Sequence, residues 1–331
     1  MRLTIIIPVR NEAAHLDGLL ECATAGAPRD REILVVDGGS EDGTREIIGA
    51  WQARDPRVRL IDNPRRLVTA ALNLGFQAAG GEVIMRLDAH AQYAPDYVEQ
   101  CLAVLEETGA GNVGGAARPL SDGSFLGDLI RAVHVSPFGI GAAQFRREDA
   151  EGWVDTVWPG CWRREALEAA GMECCEELPR SEDIELNARL RAAGCRVYIS
   201  PRIKAFYQPR RSLRALLRQN YDNGVGVVHT LKSGRGGVRL RHLVPLAAGL
   251  ATAVLGLGGI FWRPAWWILL ALILVHQGAG LAFAARAVGW RRLGLTLALP
   301  PVFFLLHLAY GFGSLLGAVT RPQFAHADTL S

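Results

Sequence analysis

The sequence predicts an α/β fold, a mostly parallel, Rossmann-like sheet with helices on both faces, followed by C-terminal membrane helices. Two observations carry this. Short β-branched runs alternate with helix-like segments through the first part of the chain, and three long stretches near the end contain no Asp, Glu, Lys or Arg. A chain of 331 residues, half of them hydrophobic, is long enough for one large domain and a membrane region.

The strands come in order as "LTIIIPV" (Leu3 to Val9), "EILVVD" (Glu32 to Asp37), "VRLID" (Val58 to Asp62) and "EVIMRLD" (Glu82 to Asp88). Ligands in such sheets bind beyond the carboxyl ends of the strands. Those ends read Arg10-Asn11-Glu12, Asp37-Gly38-Gly39-Ser40 and Asp88-Ala89-His90. No G-x-G-x-x-G follows the first strand and no P-loop signature occurs, which removes the main support for a dinucleotide dehydrogenase or a P-loop NTPase. In "DGGSEDGT" the glycines permit a tight turn, and Ser40 or Asp42 can cap a helix beginning near Thr44, leaving Asp37 pointing into the crevice. A capped turn with no further role is the plainer reading of that stretch alone.

Further along, "RSEDIELNARLRAAG" sets Glu182 and Asp183 at a helix start, where acids either satisfy the helix dipole or serve as a base; Glu185 and Arg189 follow as support. The segment Ser136 to Glu148 has the glycines and paired arginines of a mobile loop. Trp158 and Trp162 offer either aromatic faces for a ligand or core packing. "YQPRRSLRALLRQNYDNG" reads as a basic helix along a membrane surface.

The charge-free runs are Leu243 to Trp262, Pro264 to Ala285 and Leu293 to Thr320, each close to or above the roughly 20 residues that cross a bilayer core. Pro300-Pro301 leaves a kinked or re-entrant third helix, or a shallow hairpin in one leaflet, as the alternative to three spans. Between Arg202 and Arg241 there are ten Lys or Arg against the single acid Asp222, and Arg286, Arg291 and Arg292 lie between the second and third runs. The positive-inside rule then places the N-terminal domain in the cytoplasm and, with three spans, the C-terminus outside. The expected localisation is the inner (plasma) membrane, multi-pass.

The expected domains are 1–232 catalytic, 233–242 a basic juxtamembrane hinge, 243–320 membrane and 321–331 a short tail. The net charge of +3 hides this asymmetry. The basic collar suits anionic membrane lipid; nucleic acid is excluded as a partner because the collar abuts membrane helices and lacks aromatic interleaving. The first apolar run is too short for a secretory signal, and the six cysteines show neither a C-x-x-C pair nor zinc spacing, as expected of reduced thiols.

The segments "TIIIPVRNE", "ILVVDGGSEDGT", "ALNLGFQAAGGEVIMRLDAHAQYAPDYV", "PGCWRREALEAAG" and "SEDIELNARLRAAGCRVYISP" follow one another as in the inverting family 2 glycosyltransferases of the GT-A fold, which the chain resembles from about Leu3 to about Leu231. Within that family it is similar to the ExoA-type enzymes of succinoglycan and related polysaccharide assembly, which also carry a C-terminal membrane region. The resemblance implies that Pro8, Asn11 and Glu12 lie near the nucleotide, that Asp37 contacts the uracil side of the donor, and that Asn73 falls where the fold closes over the nucleotide. Gly38 stands where the pattern has a second Asp, which softens the nucleotide assignment there. Asp88 and His90 fall on the Asp-x-Asp motif, with imidazole replacing the second carboxylate. A divalent metal held there neutralises the departing diphosphate, and imidazole moves the preference toward Mn²⁺ over Mg²⁺; a histidine beside a metal held by Asp88 alone is the alternative.

By the same resemblance Asp183 is the catalytic base and Glu182 shapes the acceptor side. Trp158 and Trp162 are candidates for the acceptor side, and Arg218-Gln219 resembles an Arg/Gln element near the donor phosphates in membrane-bound relatives, although the QxxRW form is absent. The expected reaction moves a hexose from a UDP-sugar, UDP-glucose first, onto a lipid-linked saccharide, with other polysaccharide-assembly proteins as possible partners. A polyprenyl-phosphate sugar synthase is the alternative within the family. A catalytically silent sugar-nucleotide-binding scaffold is the alternative outside it.

Overall fold

A computed structural model describes residues 2–26, 30–140, 147–176, 182–232 and 240–320. The expected hinge and tail fall mainly outside these, as does part of the Ser136 to Glu148 loop. The chain forms two compact units, Met1–Arg118 with Glu148–Tyr207, and Pro119–Arg147 with Gln208–Pro322.

The first unit opens with β1 (Leu3–Val9), α1 (Ala13–Thr24), β2 (Arg31–Asp37), α2 (Thr44–Arg54), β3 (Val58–Asp62), α3 (Val68–Ala78) and β4 (Val83–Arg86). These four strands are parallel and stand in the order β3-β2-β1-β4. Along the chain then come β5 (Ala91–Tyr93), α4 (Tyr97–Thr108), β6 (Asn112–Pro119), α5 (Phe125–Val135, part of the second unit), β7 (Gly152–Val154), β8 (Cys161–Arg163), α6 (Arg164–Ala169), α7 (Glu182–Ala192) and β9 (Val197–Tyr207). The sheet continues from β4 through β8, β6 and β9 to β5, with β7 also on β9; β8 is antiparallel to β4, so the parallel half ends there.

Both faces of the parallel half are buried, which is why its strands read as nearly continuous apolar runs. Ile5, Ile7, Ile33, Val35 and Met85 pack on one face with Leu16 and Leu20 of α1 and Val104 and Leu105 of α4. Ile6, Leu34, Val36 and Ile84 pack on the other with Leu72 and Phe76 of α3, Leu167 of α6 and Leu186 and Leu190 of α7. Alternate residues of one strand thus serve opposite layers. Helix α3 comes close to β1 because position 75 is glycine: a Cβ there would lie 2.5 Å from Ile6 Cγ2.

Register positions the strand ends. Val9 pairs with Asp37 and Ile6 with Arg86, so the tips of β2 and β4 flank the exit of β1. The loop after β1 is tied to the loop after β2: Asn11 N donates to Ser40 Oγ (2.8 Å), Glu41 N to Asn11 Oδ1 (2.9 Å) and Glu12 N to Thr44 Oγ1 (2.9 Å). Asn11 sits at φ +56°, a left-handed conformation that asparagine tolerates better than most residues.

The second unit holds α5 together with α8 (Leu213–Lys232), α9 (Leu240–Phe261), α10 (Pro264–Val288), a 3₁₀ turn at Trp290–Arg292, and α11 (Leu293–Val319). Three helical segments, Val244–Phe261, Pro264–Val288 and Trp290–Val319, are long and apolar enough to cross a membrane. The Pro300-Pro301 pair does not break α11. Its core is formed by Leu129, Ile130 and Val133 of α5, Leu216 of α8, Ala284 of α10 and Leu299, Phe303 and Leu306 of α11.

Candidate active site

A cavity of about 550 Å³ opens beyond the ends of β1, β2 and β4, within the range of small-molecule sites. Its walls include Pro8, Arg10, Asn11, Glu12, Gly38, Arg66, Arg86, Asp88 and His90. Five of the residues singled out in the sequence therefore meet in one place, Pro8, Asn11, Glu12, Asp88 and His90. Arg10 and Arg66 add guanidinium groups to the wall, the residue type that binds phosphate.

Asp88 is the best-held group of the site. It is 4% exposed; its Oδ1 accepts from Arg86 Nε (2.6 Å) and its Oδ2 from the Trp158 indole Nε1 (2.8 Å). Its backbone N–H donates to the Tyr93 hydroxyl at 2.7 Å. Burial pushes the Asp88 pKa up, but Arg86 and then His90 outweigh it, and the carboxyl stays below its ordinary value. His90 is largely exposed, and its Nδ1 faces Glu12 Oε1 at 3.7 Å. Glu12 first, and Asp88 with it, raise the imidazole above its ordinary pKa.

Arg86 is the functional residue that sequence reasoning missed. Besides Asp88 it reaches Glu182 Oε1 through Nη1 at 3.0 Å, joining the tip of β4 to the first turn of α7. The guanidinium is buried, yet the two carboxylates hold its proton more firmly than in water. The signal was present as a charge in the otherwise apolar strand "VIMRL". An arginine there is affordable only where acids surround it.

Asp183 follows Glu182 at the start of α7, half-buried, and its Oδ1 accepts from the Ile184 backbone N–H (2.9 Å). Burial first, then the negative Glu182, raise its pKa to about 6. A carboxylate so placed is ionised at neutral pH yet basic enough to accept a proton.

The remaining expected residues are not among those lining the cavity. Asp37 is turned into its own loop: it accepts from Ser40 N and Oγ (3.2 and 2.5 Å) and pairs with Arg45 at 2.8 Å, which also holds Asp62. With Gly39 N (3.3 Å) four donors hold this buried carboxylate, and Gly38 rather than Asp37 lines the cavity. Asp42, not Ser40, accepts from the Thr44 N–H that begins α2 (3.1 Å). Asn73 clamps the chain ahead of α7, donating to Cys174 O (3.0 Å) and Glu176 Oε1 (2.9 Å) and accepting from Cys174 N (2.6 Å). Trp162 is core, 5% exposed and edge-on to Phe76, so its ring is closed to a sugar. Trp158 stays half-buried beside Asp88. Arg218 and Gln219 lie on α8 of the second unit, where Arg218 pairs with Asp222 at 3.2 Å.

Among the described residues no group of three or more His, Cys, Asp or Glu side chains is arranged to hold a metal unaided. Asp88 and His90, both on the cavity wall, would be the residues to hold a divalent ion here, and a diphosphate and water would have to complete its ligands. Turning His90 Nδ1 toward a carboxylate leaves Nε2 free, the arrangement usual for ligating histidines.

The Glycosyl transferase family 2 profile matches residues 4–168, the span that includes β1 through β4 and the Asp88 tip. The succinoglycan biosynthesis protein ExoA of Rhizobium meliloti (strain 1021) is 33% identical over 246 residues, covering 73% of this chain and 74% of that protein. A dolichyl N-acetyl-α-D-glucosaminyl phosphate 3-β-D-2,3-diacetamido-2,3-dideoxy-β-D-glucuronosyltransferase of Methanococcus voltae is 24% identical over 321 residues, 94% of this chain and 95% of its own. Among solved structures, the mannosyltransferase PcManGT from Pyrobaculum calidifontis, in complex with GDP-Man and Mn²⁺, superposes with a TM-score of 0.62 at 22% identity over 95% of this chain and 87% of that one, which establishes the GT-A fold. Identity at the level shared with ExoA, spread over most of both chains, reflects common descent, and the chain belongs to the family 2 glycosyltransferases.

Proposed function

We propose that the protein is a membrane-attached, inverting hexosyltransferase that moves a sugar from a nucleoside diphosphate donor, UDP-glucose first among candidates, onto a lipid-linked saccharide at the cytoplasmic face of the inner membrane. The observation that carries this is the Arg86 bridge, which fixes the strand-tip carboxylate Asp88 beside the cavity and the first turn of α7 with the basic Asp183 as one framework. The names of relatives support the substrate classes: ExoA is a succinoglycan biosynthesis protein, and PcManGT was solved with GDP-Man and Mn²⁺. The domain reading follows: 1–232 does the chemistry, 233–242 is a hinge, and 243–320 attaches the chain to the membrane.

In this reading Pro8, Asn11 and Glu12 border the nucleotide, and Arg10 and Arg66 face the diphosphate. Asp88 and His90 would hold a divalent metal, Mn²⁺ in preference to Mg²⁺, which would neutralise the diphosphate. Asp183 takes the proton from the acceptor hydroxyl as its oxygen attacks the anomeric carbon opposite the leaving phosphate, and Glu182 holds the acceptor side while anchored to Arg86. Trp158, bonded to Asp88, borders the acceptor.

The test is product analysis with a panel of radiolabelled sugar nucleotides, membrane lipid extract and Mn²⁺ or Mg²⁺. The expected product is a lipid-linked saccharide one hexose longer, with inverted anomeric configuration. Label on the polyprenyl phosphate itself would establish the synthase instead, a reading supported by the undecaprenyl-phosphate 4-deoxy-4-formamido-L-arabinose transferase of Pseudomonas savastanoi, 34% identical over 110 residues. Donor binding without transfer to any acceptor would leave the scaffold.

A further inference from the structure

Helix α8 lies beside α11, and only one of the two is apolar. Helix α8 carries Arg214, Arg218, Asp222 and Lys232 and is not among the helices fit to cross a bilayer. It runs along the second half of α11 in the same direction. Leu216 shares a core with Phe303 and Leu306; Gly313 is packed against the Tyr221 backbone; Gly317 would place a Cβ 2.9 Å from Val225 O. At the far end Lys232 Nζ donates to the carbonyls of Gly317, Ala318 and Thr320 (2.8, 2.7 and 2.8 Å), and His229 Nε2 lies 3.2 Å from Thr320 Oγ1. The glycines let the two backbones approach closely along this seam.

That register puts Arg218 between the levels of Leu306 and Gly313, near the middle of α11. The Arg218 side chain is 74% exposed and pairs with Asp222. If α11 crossed the bilayer along its length, this exposed ion pair would face hydrocarbon at mid-depth, the costliest place for charge. Helix α11 meanwhile presents a separate stripe of exposed apolar residues, Leu305, Phe312, Leu316 and Val319. The α8–α11 pair is therefore two-sided, charged along α8 and apolar along α11.

We infer that α11 does not span the membrane: the α8–α11 pair lies along its surface, α8 toward water and the Leu305 to Val319 stripe in lipid, so that Thr320 ends on the side from which α8 enters. The occupant of the apolar face is bilayer lipid. Helices α9 and α10, joined across Trp262 and Arg263, form the hairpin that enters the membrane, with Phe261 92% and Trp267 72% exposed near its turn. Both ends of a hairpin return to one side whatever depth its turn reaches. The inference rests on the membrane attachment proposed above and goes beyond it in fixing the C-terminus.

The full-length chain, with a fluorescent protein or alkaline phosphatase fused after Ser331, tests this in cells and leaves every helix intact. Fluorescence with inactive phosphatase is expected; active phosphatase would overturn the inference while leaving membrane attachment standing. As a second measurement, Arg218→Cys in inverted membrane vesicles should react with a membrane-impermeant maleimide several-fold more than the unsubstituted protein. Labelling at the unsubstituted level would place Arg218 away from cytoplasmic water and overturn the inference. Recovery of the full-length protein in the soluble fraction would instead refute the attachment itself.

Discussion

Asp183 is the residue on which the proposed chemistry turns, and its environment gives it opposite effects on activity and stability. As a base it must be ionised, so turnover should fall as pH drops through about 6. Asp183→Asn should lower turnover by a factor on the order of 10² to 10⁴ while UDP affinity stays within a few-fold, measured by product formation and by calorimetry. The folded state raises this pKa above the roughly 4 of an unfolded aspartate, so it binds the proton more tightly than the unfolded chain does. The cost of keeping Asp183 charged therefore appears as pH rises from about 4 to about 6, and Asp183→Asn should melt higher than the native protein at pH 8 but not at pH 4. At the strand tip, His90→Asp creates an all-oxygen site and should narrow or reverse a Mn²⁺ over Mg²⁺ preference in metal titrations of turnover. An unchanged ratio would make His90 a bystander held by Glu12. Arg86→Met strands Asp88 and Glu182 without their counter-ion and should cost about 3–5 kcal/mol in denaturant unfolding, with part of the loss recovered by adding Glu182→Gln.

Among elements, β4 and α7 matter most because their ends carry the chemistry. Strand β4 is short, four buried residues, and gains its rigidity from β1 on one side and antiparallel β8 on the other. Helix α7 is fixed at its start by Arg86 and along its length by Leu186 and Leu190 in the core, while Asn187 donates to Thr156 Oγ1 at 2.9 Å. Helix α3 depends on a missing side chain. Gly75→Ala would push a methyl into Ile6 of the central strand and should destabilise by about 1–3 kcal/mol despite alanine's better helix propensity, as read by thermal or denaturant melts.

At the scale of the whole molecule, the distribution of apolar surface separates the two compact units. The sheet unit buries its large aliphatic residues in two layers, whereas α9 and α10 leave Val254, Leu257, Phe261, Trp266, Trp267, Leu274 and Val275 exposed. Apolar surface of that extent needs lipid or detergent. The full-length protein should stay with the membrane fraction through high-salt and alkaline carbonate washes and be released only by detergent; release by salt alone would mean that the basic residues of α8, rather than the hairpin, supply the attachment.

The sequence by itself determined what is local or periodic. The alternation of apolar runs and helical segments predicted the parallel sheet, the strand-end residues foretold the Asp88 and His90 tip beside Asn11 and Glu12, and the charge-free runs gave three helices of membrane length, because burial and hydrophobic period are written in neighbouring residues. Tertiary structure alone decided where side chains meet across long separations. Arg86 and Glu182 are distant in sequence, so their union could not be read from either stretch. Asp37 shows the converse: its loop was legible as a turn, but only the folded chain shows that Arg45 and Ser40 hold its carboxylate. Trp162 and Trp158 looked alike in sequence, and only packing sent the first into the core and the second to Asp88. The C-terminus is the largest such case. Counting apolar runs puts it outside, while the seam of α8 on α11 points to the opposite side, because the depth of a helix in a membrane depends on the charges of whatever it packs against as well as on its own composition.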